Sequence, residues 1–437
     1  MSAMHQQAMK HVYQQVLSCL LGSFSPARRA AVQPLIQRLM SAAGGAQRLG
    51  NYRVVLMVCG SAAGNANLAV LRAAQLTLAA RHQPTFSIRA AVSSHALLDD
   101  IRNCNMQRAC NALFLHDDSR VELLTLDDEA ITPYEHRNAA APARRVACRT
   151  ELLASGHRLD AAGPAALQKH GHQSMARLYQ RVLAYKAKAD AIVLDQPALQ
   201  RRRFVVWAMR DLRRRGVAPL RREHWHGSGC LQLIDPGLAA KPQGHRVDGA
   251  AEVQLLPAHD LLSEPSAVDG QLWQFLGCET PTPLFSPGEA RYPQLAWFAH
   301  VHGLRSQWLQ AGSYEAGLES FLGCTNSGLL GNPSPVPKLR KQVVRAAGEH
   351  VQARLSSWYA MEQAHLSCAV FTPFVGRGAR LEAFLAACHP GMLVTMPYLH
   401  KGLRGAKVPA QVVQWLESIS GLPLATLQGL YRSPRSA

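Results

Sequence analysis

The stretch that decides the fold is YRVVLMVCGSAAGNANLAVLRAAQL, residues 52–76. It joins a short apolar run, a turn of small residues and a longer run rich in Ala and Leu, which is the pattern of a buried strand followed by a helix. The same pattern predicts strands at 53–59, 86–92 and 110–115, separated by helices at 66–81 and 95–107. Such alternation is typical of a parallel sheet with crossover helices. We therefore predict an α/β fold with a mostly parallel sheet, an N-terminal helical arm and a helix-rich C-terminal half.

The chain is too long for one ordinary core, because it has 437 residues. Composition and periodicity predict four parts: amphipathic helices at 1–49, an α/β core at 50–240, a loop-rich connector at 241–290 and a helix-rich region at 291–437. The last part is predicted to end in a strand–helix–strand unit, since apolar runs flank the loop FVGRGARL at 374–381.

Basic side chains dominate the composition. Lys and Arg number 47 against 29 Asp and Glu, which gives a net charge of +18 at pH 7. A hydrophobic fraction of 48% is that of a folded protein and excludes a disordered one. No uninterrupted apolar run approaches the roughly 18 residues that a spanning helix needs. The sequence therefore predicts no membrane span.

The ten cysteines are scattered along the chain without a CxxC pair. This distribution suggests neither a zinc knuckle nor a disulfide framework, and it favours the cytoplasm or another reducing compartment. A transit or secretion signal stays open, because the N-terminal segment is rich in Arg and poor in acidic residues.

The N-terminal segment is free of acidic residues up to Asp99, whereas Asp and Glu bunch at 117–135. One interpretation is a surface for nucleic acid or anionic lipid. The other is a basic region that pairs with the acidic segment.

Arginine clusters occur where helices begin, although the helix dipole disfavours cations there. Arg201, Arg202 and Arg203 fall in the second turn of a predicted helix, with Phe204 and Trp207 among them. Arginines interleaved with aromatic residues suit a single-stranded backbone with stacked bases, although FVVWAM also has the pattern of a buried face. The predicted polyanion-binding residues are Arg201, Arg202, Arg203, Arg210, Arg221, Arg222, Lys338, Arg340 and Lys341.

Two glycine-containing loops are candidates for binding phosphate. The first is GSAAGN at 60–65, where small residues precede a predicted helix. This loop lacks a complete phosphate-binding motif, and it equally suits a plain strand-to-helix turn. In 374–381, cations flank glycines before a helix, and further cations follow at 400–407. If both segments follow strands of the sheet, they meet at its carboxyl edge. The predicted phosphate-binding residues are Gly376, Arg377, Gly378, Arg380, Lys401 and Arg404.

Catalytic motifs are weak. Cys230 follows a GSG turn close to His226, so it is a candidate thiol nucleophile, although a buried structural cysteine fits the same position. Asp195 and His400 are the other candidates, and Asp195 also suits a helix N-cap. Three H-x-H pairs, 170/172, 224/226 and 300/302, lack a third ligand at a usual spacing, so no metal is predicted and no cofactor is assigned.

We expect a basic protein that contacts a polyanion, nucleic acid first, through its arginine clusters. The alternative is a transferase or hydrolase acting on a phosphate-bearing substrate such as a nucleotide or nucleotide-sugar. A third hypothesis is a protein-interaction or secreted effector role, in which residues 4–43 present an exposed apolar stripe to a partner.

Overall fold

The fold is taken from a computed structural model. It describes residues 3–81, 83–93, 100–126, 131–135, 142–158, 172, 175–176, 178–179, 181–183, 185–186, 188–194, 198–214, 229–233, 251–262, 270–279, 294–325 and 341–433. The chain forms two compact units. The sheet unit comprises Met1–Arg137 and His172–Thr282, and the helical unit comprises Asn138–Gly171 and Pro283–Ala437. The predicted 50–240 core is therefore shared between the units, because residues 138–171 belong to the helical one.

The sheet unit alternates strands with helices, as predicted for an α/β fold. Its elements are, in chain order, α1 (Ala3–Ser23), α2 (Pro26–Ala43), β1 (Arg53–Val58), α3 (Ala62–Ala80), β2 (Ser87–Ser93), α4 (Asp100–Ala112), β3 (Val121–Leu126), β4 (Ile131–Pro133), β5 (Ala191–Leu194), α6 (Ala198–Arg214), β6 (Gly229–Leu233), β7 (Ala251–Pro257), α7 (His259–Leu262) and α8 (Gly270–Phe275), while α5 (Pro142–Arg158) belongs to the helical unit. A 3₁₀ turn, Ala46–Asn51, leads into β1.

The seven strands form one sheet in the order β4-β3-β2-β1-β5-β7-β6. The five inner strands are parallel, and an antiparallel strand closes each edge. The chain builds outward from β1 through β2 to β3 and then returns to the other side of β1 as β5. The strand order therefore reverses between β1 and β5, and the predicted mostly parallel sheet is confirmed.

Both faces of the sheet are covered by apolar side chains. Alternating residues of β1 point to the two faces. Val54 and Leu56 lie in the core that α1, α2 and α3 cover, and Val55 lies in the core that α6 covers. Almost all of α3 is buried from Gly64 to Leu78. Strands buried on both faces explain why β1 appears in the sequence as a continuous apolar run.

The two N-terminal helices pack onto the sheet unit. Leu20 of α1 and Leu35, Ile36 and Leu39 of α2 are buried in the same core as β1 and α3. Among residues 7–43, whose side chains the structure describes, no large apolar side chain is exposed. The protein's own core therefore covers these four positions, while Met9, Val12 and Val16 of α1 are half-buried, and a partner for residues 4–43 stays a prediction.

The strand predicted at 110–115 is wrong. Helix α4 runs to Ala112, and the chain then turns through Phe114, whose φ is 52°. The amide of Leu115 donates to the carbonyl of Cys110 at 3.0 Å, a bond typical of a helix C-terminus closed by a left-handed residue. Leu113 and Leu115 are fully buried, so the apolar run is the buried end of a helix.

The described part of the helical unit consists of helices. After α5 follow α9 (Gln294–Leu309), α10 (Tyr314–Thr325), α11 (Lys341–Tyr359), α12 (Gln363–Phe371), α13 (Leu381–Cys388), a 3₁₀ turn (Pro390–Thr395), α14 (Met396–Arg404), α15 (Ala410–Ser420) and α16 (Leu424–Arg432). The helix-rich C-terminal half is thus confirmed. No helix in the described ranges has the length and apolarity needed to cross a membrane.

A buried arginine and a buried tryptophan organise the core of the helical unit. The Arg305 guanidinium of α9 donates to the carbonyls of Ala369 and Val370 at 3.0 Å, where α12 ends and its carbonyls lack intrahelical partners. The Trp297 indole N–H donates to the carbonyl of Leu152 at 3.1 Å and so joins α9 to α5.

The strand–helix–strand unit predicted at the end of the chain is wrong. Its first apolar run is α12, and its second is the 3₁₀ turn that leads into α14. Leu366, Cys368, Ala369 and Val370 are all buried, so α12 lacks the polar face that distinguishes a surface helix in a sequence. The loop 374–381 therefore follows a helix and not a strand.

Candidate anion-binding surfaces

Two arginines of the acid-free segment form buried ion pairs. Arg72 Nη1 lies 2.7 Å from Asp118 Oδ2, and both side chains are essentially inaccessible. Arg89 Nε lies 2.6 Å from Glu122 Oε2, and the Arg89 side chain is also buried. Both carboxylates belong to the acidic segment 117–135. For these two arginines the pairing interpretation is correct, and a surface role for them is excluded.

Two arginines of α2 also have structural contacts. Arg28 is buried and donates to the carbonyl of Leu262 at 3.3 Å. Arg38 forms a bidentate pair with Asp260, with both N···O distances 2.8 Å. These bonds attach α2 to α7. Much of the positive charge near the N-terminus therefore stabilises the sheet unit.

Helix α6 carries the first predicted arginine cluster on its outer side. Phe204 is fully buried, whereas Arg202 and Arg210 are exposed and Arg201 and Arg203 are half-buried. Trp207 packs on Phe204 with the ring centroids 6.0 Å apart. The cluster thus presents cations, but its tryptophan packs against the core.

The other residues of the predicted polyanion set can be placed only in part. Arg221, Arg222, Lys338 and Arg340 lie outside the described residues. Lys341 begins α11, and its side chain is also outside the described part.

The loop 374–381 has a backbone locked by the end of the chain. The amides of Gly376 and Arg377 donate to the carbonyls of Ser433 and Tyr431, at 3.2 and 3.0 Å. Gly376, Arg377 and Gly378 all have positive φ, between 60° and 77°. Two of its backbone amides are therefore already bonded, and phosphate binding by this loop stays a prediction that rests on its side chains. The loop holds the Arg377 side chain exposed.

Packing brings this loop against α14 and α16. A Cβ on Gly378 would lie 2.8 Å from Cε1 of His400, so glycine is required for this close approach. His400 Nδ1 lies 2.9 Å from the hydroxyl oxygen of Tyr431. Burial, and then the charge of Arg404, lower the pKa of His400. The imidazole is therefore neutral at pH 7 and positions the loop against both helices.

Four exposed cations surround this packed centre, and we call them the C-terminal basic surface: Arg377, Lys401, Arg404 and Arg432. They come from the loop, from α14 and from the end of α16. None of them forms an ion pair with a carboxylate in the part of the chain that the structure describes. Arg380 lies nearby and donates to the Thr372 hydroxyl at 3.4 Å.

The sequence reasoning missed two residues of this region. Tyr398 is 50% exposed, and the Lys401 ammonium lies 5.6 Å from its ring centroid. Arg432 joins the surface because α16 packs on α14. Tyr398 and Lys401 are three residues apart, a spacing that places two side chains on one face of a helix. The sequence shows this only if 396–404 is first recognised as a helix.

At the carboxyl end of β1, the turn 60–65 begins α3. Gly60 has φ 68°, and a Cβ there would lie 1.9 Å from the Arg102 carbonyl oxygen. The Ser61 hydroxyl caps the helix by accepting from the Gly64 amide at 3.1 Å. The side-chain amide of Asn65 donates to the carbonyl of Asn105 at 3.3 Å and so faces α4. Gly60 and Ser61 thus have structural roles in the turn.

Of the predicted catalytic residues, only His400 has a side chain that the structure describes. Cys230 lies in β6 opposite Gln254, but its side chain, His226 and Asp195 are outside the described residues. His300 and His302 are on helix α9 and contact different rings, those of Tyr314 and Phe321. The described residues contain no group of three metal-ligating side chains.

Comparison of the chain with protein-family models, curated proteins and solved structures gives no match. Its function is therefore inferred from its residues and their geometry alone.

Proposed function

We propose that the protein binds single-stranded nucleic acid through the C-terminal basic surface. One observation supports this most directly: three neighbouring segments carry exposed cations that no described carboxylate pairs with, and one of these cations, Lys401, lies against the exposed ring of Tyr398. The cations supply contacts to phosphates, and the ring supplies a platform for a base.

The charge of this surface favours a polyanion over a single small anion. Arg377, Arg404 and Arg432 come from a loop and two different helices. Cations spread in this way suit the successive phosphates of a nucleic-acid strand better than a single phosphate group. Backbone–phosphate contacts of this kind provide most of the affinity of non-specific nucleic-acid binding. His400 stays neutral, so the positive charge of the surface does not depend on its protonation near neutral pH.

The exposed ring of Tyr398 favours nucleic acid over other polyanions. An aromatic side chain half in solvent is free to stack on a base, and stacking is worth about 1–3 kcal/mol per base in single-stranded complexes. The arginine cluster of α6 lacks this feature, because Trp207 packs on Phe204. We therefore assign the primary contact to the C-terminal basic surface and an auxiliary contact to Arg201, Arg202 and Arg203.

The first test is the salt dependence of binding, measured by fluorescence anisotropy with a mixed-sequence single-stranded oligonucleotide. For single strands, the slope of log K against log salt is about −0.7 per phosphate contact. The triple variant Arg377→Ala/Lys401→Ala/Arg404→Ala is expected to make the slope shallower by about 2, because three contacts are removed. The matched variant with Arg201, Arg202 and Arg203 replaced by Ala is expected to change it less.

Two results would count against this assignment. Absence of binding by the wild-type protein at low salt would reject nucleic acid as the ligand. A slope that changes only in the α6 variant would move the contact to the sheet unit.

The second test isolates stacking. Tyr398→Ala is expected to weaken single-strand binding by about 1–3 kcal/mol, or roughly 5- to 150-fold, with little change in the salt slope. Tyr398→Phe keeps the ring and is expected to bind like the wild type. Duplex of the same sequence, whose bases are already stacked, provides the reference. Equal losses for duplex and single strand in Tyr398→Ala would show that the ring supports the surface and does not stack.

A nucleotide-type ligand at the sheet edge is a second candidate function, favoured by the strand order. In open parallel sheets, ligands bind outside the carboxyl ends of the strands where the order reverses, and here the reversal falls between β1 and β5. Helix α3 begins there, and amides in the first turn of a helix have no intrahelical acceptor. The amides of Ala62 and Ala63 would therefore meet a phosphate.

This candidate is tested with ADP by isothermal titration calorimetry. Ala63 is exposed in the first turn of α3, so Ala63→Glu would repel a phosphate while stabilising the helix dipole by about 0.3–1 kcal/mol. Loss of ADP binding without loss of thermal stability is expected, and the neutral variant Ala63→Gln should keep binding. ADP that fails to bind the wild type, or binds Ala63→Glu unchanged, would remove the sheet edge as a site and leave the nucleic-acid proposal intact.

A further inference from the structure

A cavity of about 610 Å³ lies in the helical unit between α9, α10, α11 and the start of α12. Its volume falls in the range of about 300–1,000 Å³ that is typical of small-molecule sites. It lies outside the C-terminal basic surface, and none of the four cations of that surface lines it.

The floor of the cavity is built around Tyr314. A Cβ on Gly303 would lie 2.5 Å from the Tyr314 ring, and a Cβ on Gly348 would lie 2.8 Å from its hydroxyl oxygen. Glycines on α9 and α11 thus let the ring lie between the two helices. The hydroxyl oxygen is 2.8 Å from His300 Nδ1, while His300 Nε2 is 3.4 Å from Gln352 Oε1. This network fixes the floor in one arrangement.

The floor is uncharged at neutral pH. Burial lowers the pKa of His300 to about 4, so its imidazole is neutral. Burial, and then the charge of Glu315, raise the pKa of Tyr314. Any strong ionic contact to a ligand must therefore come from the walls.

The wall formed by α11 carries one cation and one anion. Arg345 and Glu349 are exposed, one helical turn apart, and both line the cavity. Neither forms an ion pair with a residue that the structure describes. An ion pair between residues one helical turn apart is weaker when the cation comes first in the sequence, as Arg345 does here. Two opposite charges are thus both open to a ligand.

Helices α9 and α12 contribute apolar and aromatic side chains to the lining. Trp308 is 37% exposed, which is unusual for so large an apolar side chain, and Leu304 and Leu366 also line the cavity. Glu315 of α10 also lines the cavity, but it already has an interaction partner. The groups left open to a ligand are therefore one cation, one anion and an apolar surface.

We propose that the cavity binds a free aromatic amino acid. Its carboxylate would pair with Arg345, its ammonium group with Glu349, and its side chain would pack on Trp308. A sugar would match the tryptophan and the polar groups, but it would leave both charges unpaired. A nucleotide would meet Glu349 with its phosphates.

The test uses isothermal titration calorimetry with three probes: L-phenylalanine, its methyl ester, which lacks the carboxylate, and N-acetyl-L-phenylalanine, which lacks the ammonium group. L-phenylalanine should bind best. Arg345→Gln should weaken L-phenylalanine binding roughly tenfold or more but leave the methyl ester unchanged. Glu349→Gln should weaken L-phenylalanine binding similarly but leave the N-acetyl compound unchanged.

Two further variants keep the test sharp. Trp308→Ala should weaken all three probes, since each of them has the ring. Arg354→Gln, further along α11 and outside the cavity lining, should bind L-phenylalanine like the wild type. The proposal is overturned if L-phenylalanine does not bind at millimolar concentration, if Arg345→Gln weakens the acid and the ester equally, or if maltose binds in its place regardless of both charges.

Discussion

Asp118→Asn is expected to lower the free energy of unfolding of the sheet unit by about 3–5 kcal/mol, because it removes the partner of a fully buried guanidinium. Arg72 has no solvent-accessible side-chain surface, and its Nη1 donates to Asp118 Oδ2 at 2.7 Å. An Asn oxygen can still accept a hydrogen bond, but it cannot neutralise the charge. The buried cation then loses its counter-charge in a region that water does not reach.

Asp118 carries more than one ion pair, which raises the expected cost. Arg120 donates to the same carboxylate through Nη2 at 2.6 Å and through Nε at 2.9 Å. The ring of Tyr13 lies against both guanidinium groups. Its centroid is 5.3 Å from Cζ of Arg72 and 5.0 Å from Cζ of Arg120. Without the carboxylate, two cations would face each other across one tyrosine. The loss would also loosen α1, which holds Tyr13.

The pH dependence of this effect follows from the pKa of Asp118. Burial alone would raise that pKa, but hydrogen bonds from Arg120 and the charge of Arg72 outweigh burial and lower it. A carboxyl whose folded pKa is depressed stabilises the protein above its unfolded pKa, about 4, and loses that contribution as the pH falls toward the folded pKa. The difference between the wild type and Asp118→Asn should therefore be smaller at pH 3 than at pH 7.

Asp117→Asn provides the matched control. Asp117 is the neighbouring residue and is exposed, so its loss should change stability by less than about 0.5 kcal/mol. Native-state hydrogen exchange of amides in β2 and β3 would report the free energy in the sheet unit. If both variants proved equally stable, water must reach the Arg72 guanidinium, and the burial argument for the N-terminal arginines would be wrong.

The sequence predicts a helix or strand well when one face of it is polar or when its ends are marked by turn residues. β1 and the Ser61 turn were predictable because an apolar strand, small residues and an Ala-rich helix follow one another. The sequence pattern predicts a strand at 110–115 and another before the loop 374–381, but both runs are parts of helices whose apolar residues are buried. Burial on every side removes the 3.6-residue period by which a helix is recognised.

The candidate surface was predictable only in its parts. The sequence predicts that the loop 374–381 and the segment 400–407 meet only if both follow strands of one sheet. In the structure, Gly378 packs on His400 because the C-terminal helices dock on the loop. Arg432 and Tyr398 depend on which helices pack together, and residue spacing in one chain carries no signal for that.

Gly60→Ala is expected to destabilise the sheet unit by about 2–5 kcal/mol. A non-glycine residue in the left-handed region costs about 1–2 kcal/mol, and overpacking a rigid site costs a further 1–3. Gly60 has φ 68°, and its added Cβ would lie 1.9 Å from the carbonyl oxygen of Arg102. That oxygen belongs to the backbone of α4, so no side-chain rotation can relieve the contact. Either α4 or the start of α3 must move.

Gly22→Ala in α1 separates this steric effect from a general glycine effect. A Cβ on Gly22 meets nothing within 4 Å, so this variant should keep or gain up to about 1 kcal/mol through its higher helix propensity. Urea unfolding followed by hydrogen exchange in α3 and α4 compares the two variants. Equal stability of Gly60→Ala and wild type would mean that the start of α3 can leave α4 at little cost. The first-turn amides of α3 would then have no fixed position, and the nucleotide site at the β1–β5 edge would lose its structural basis.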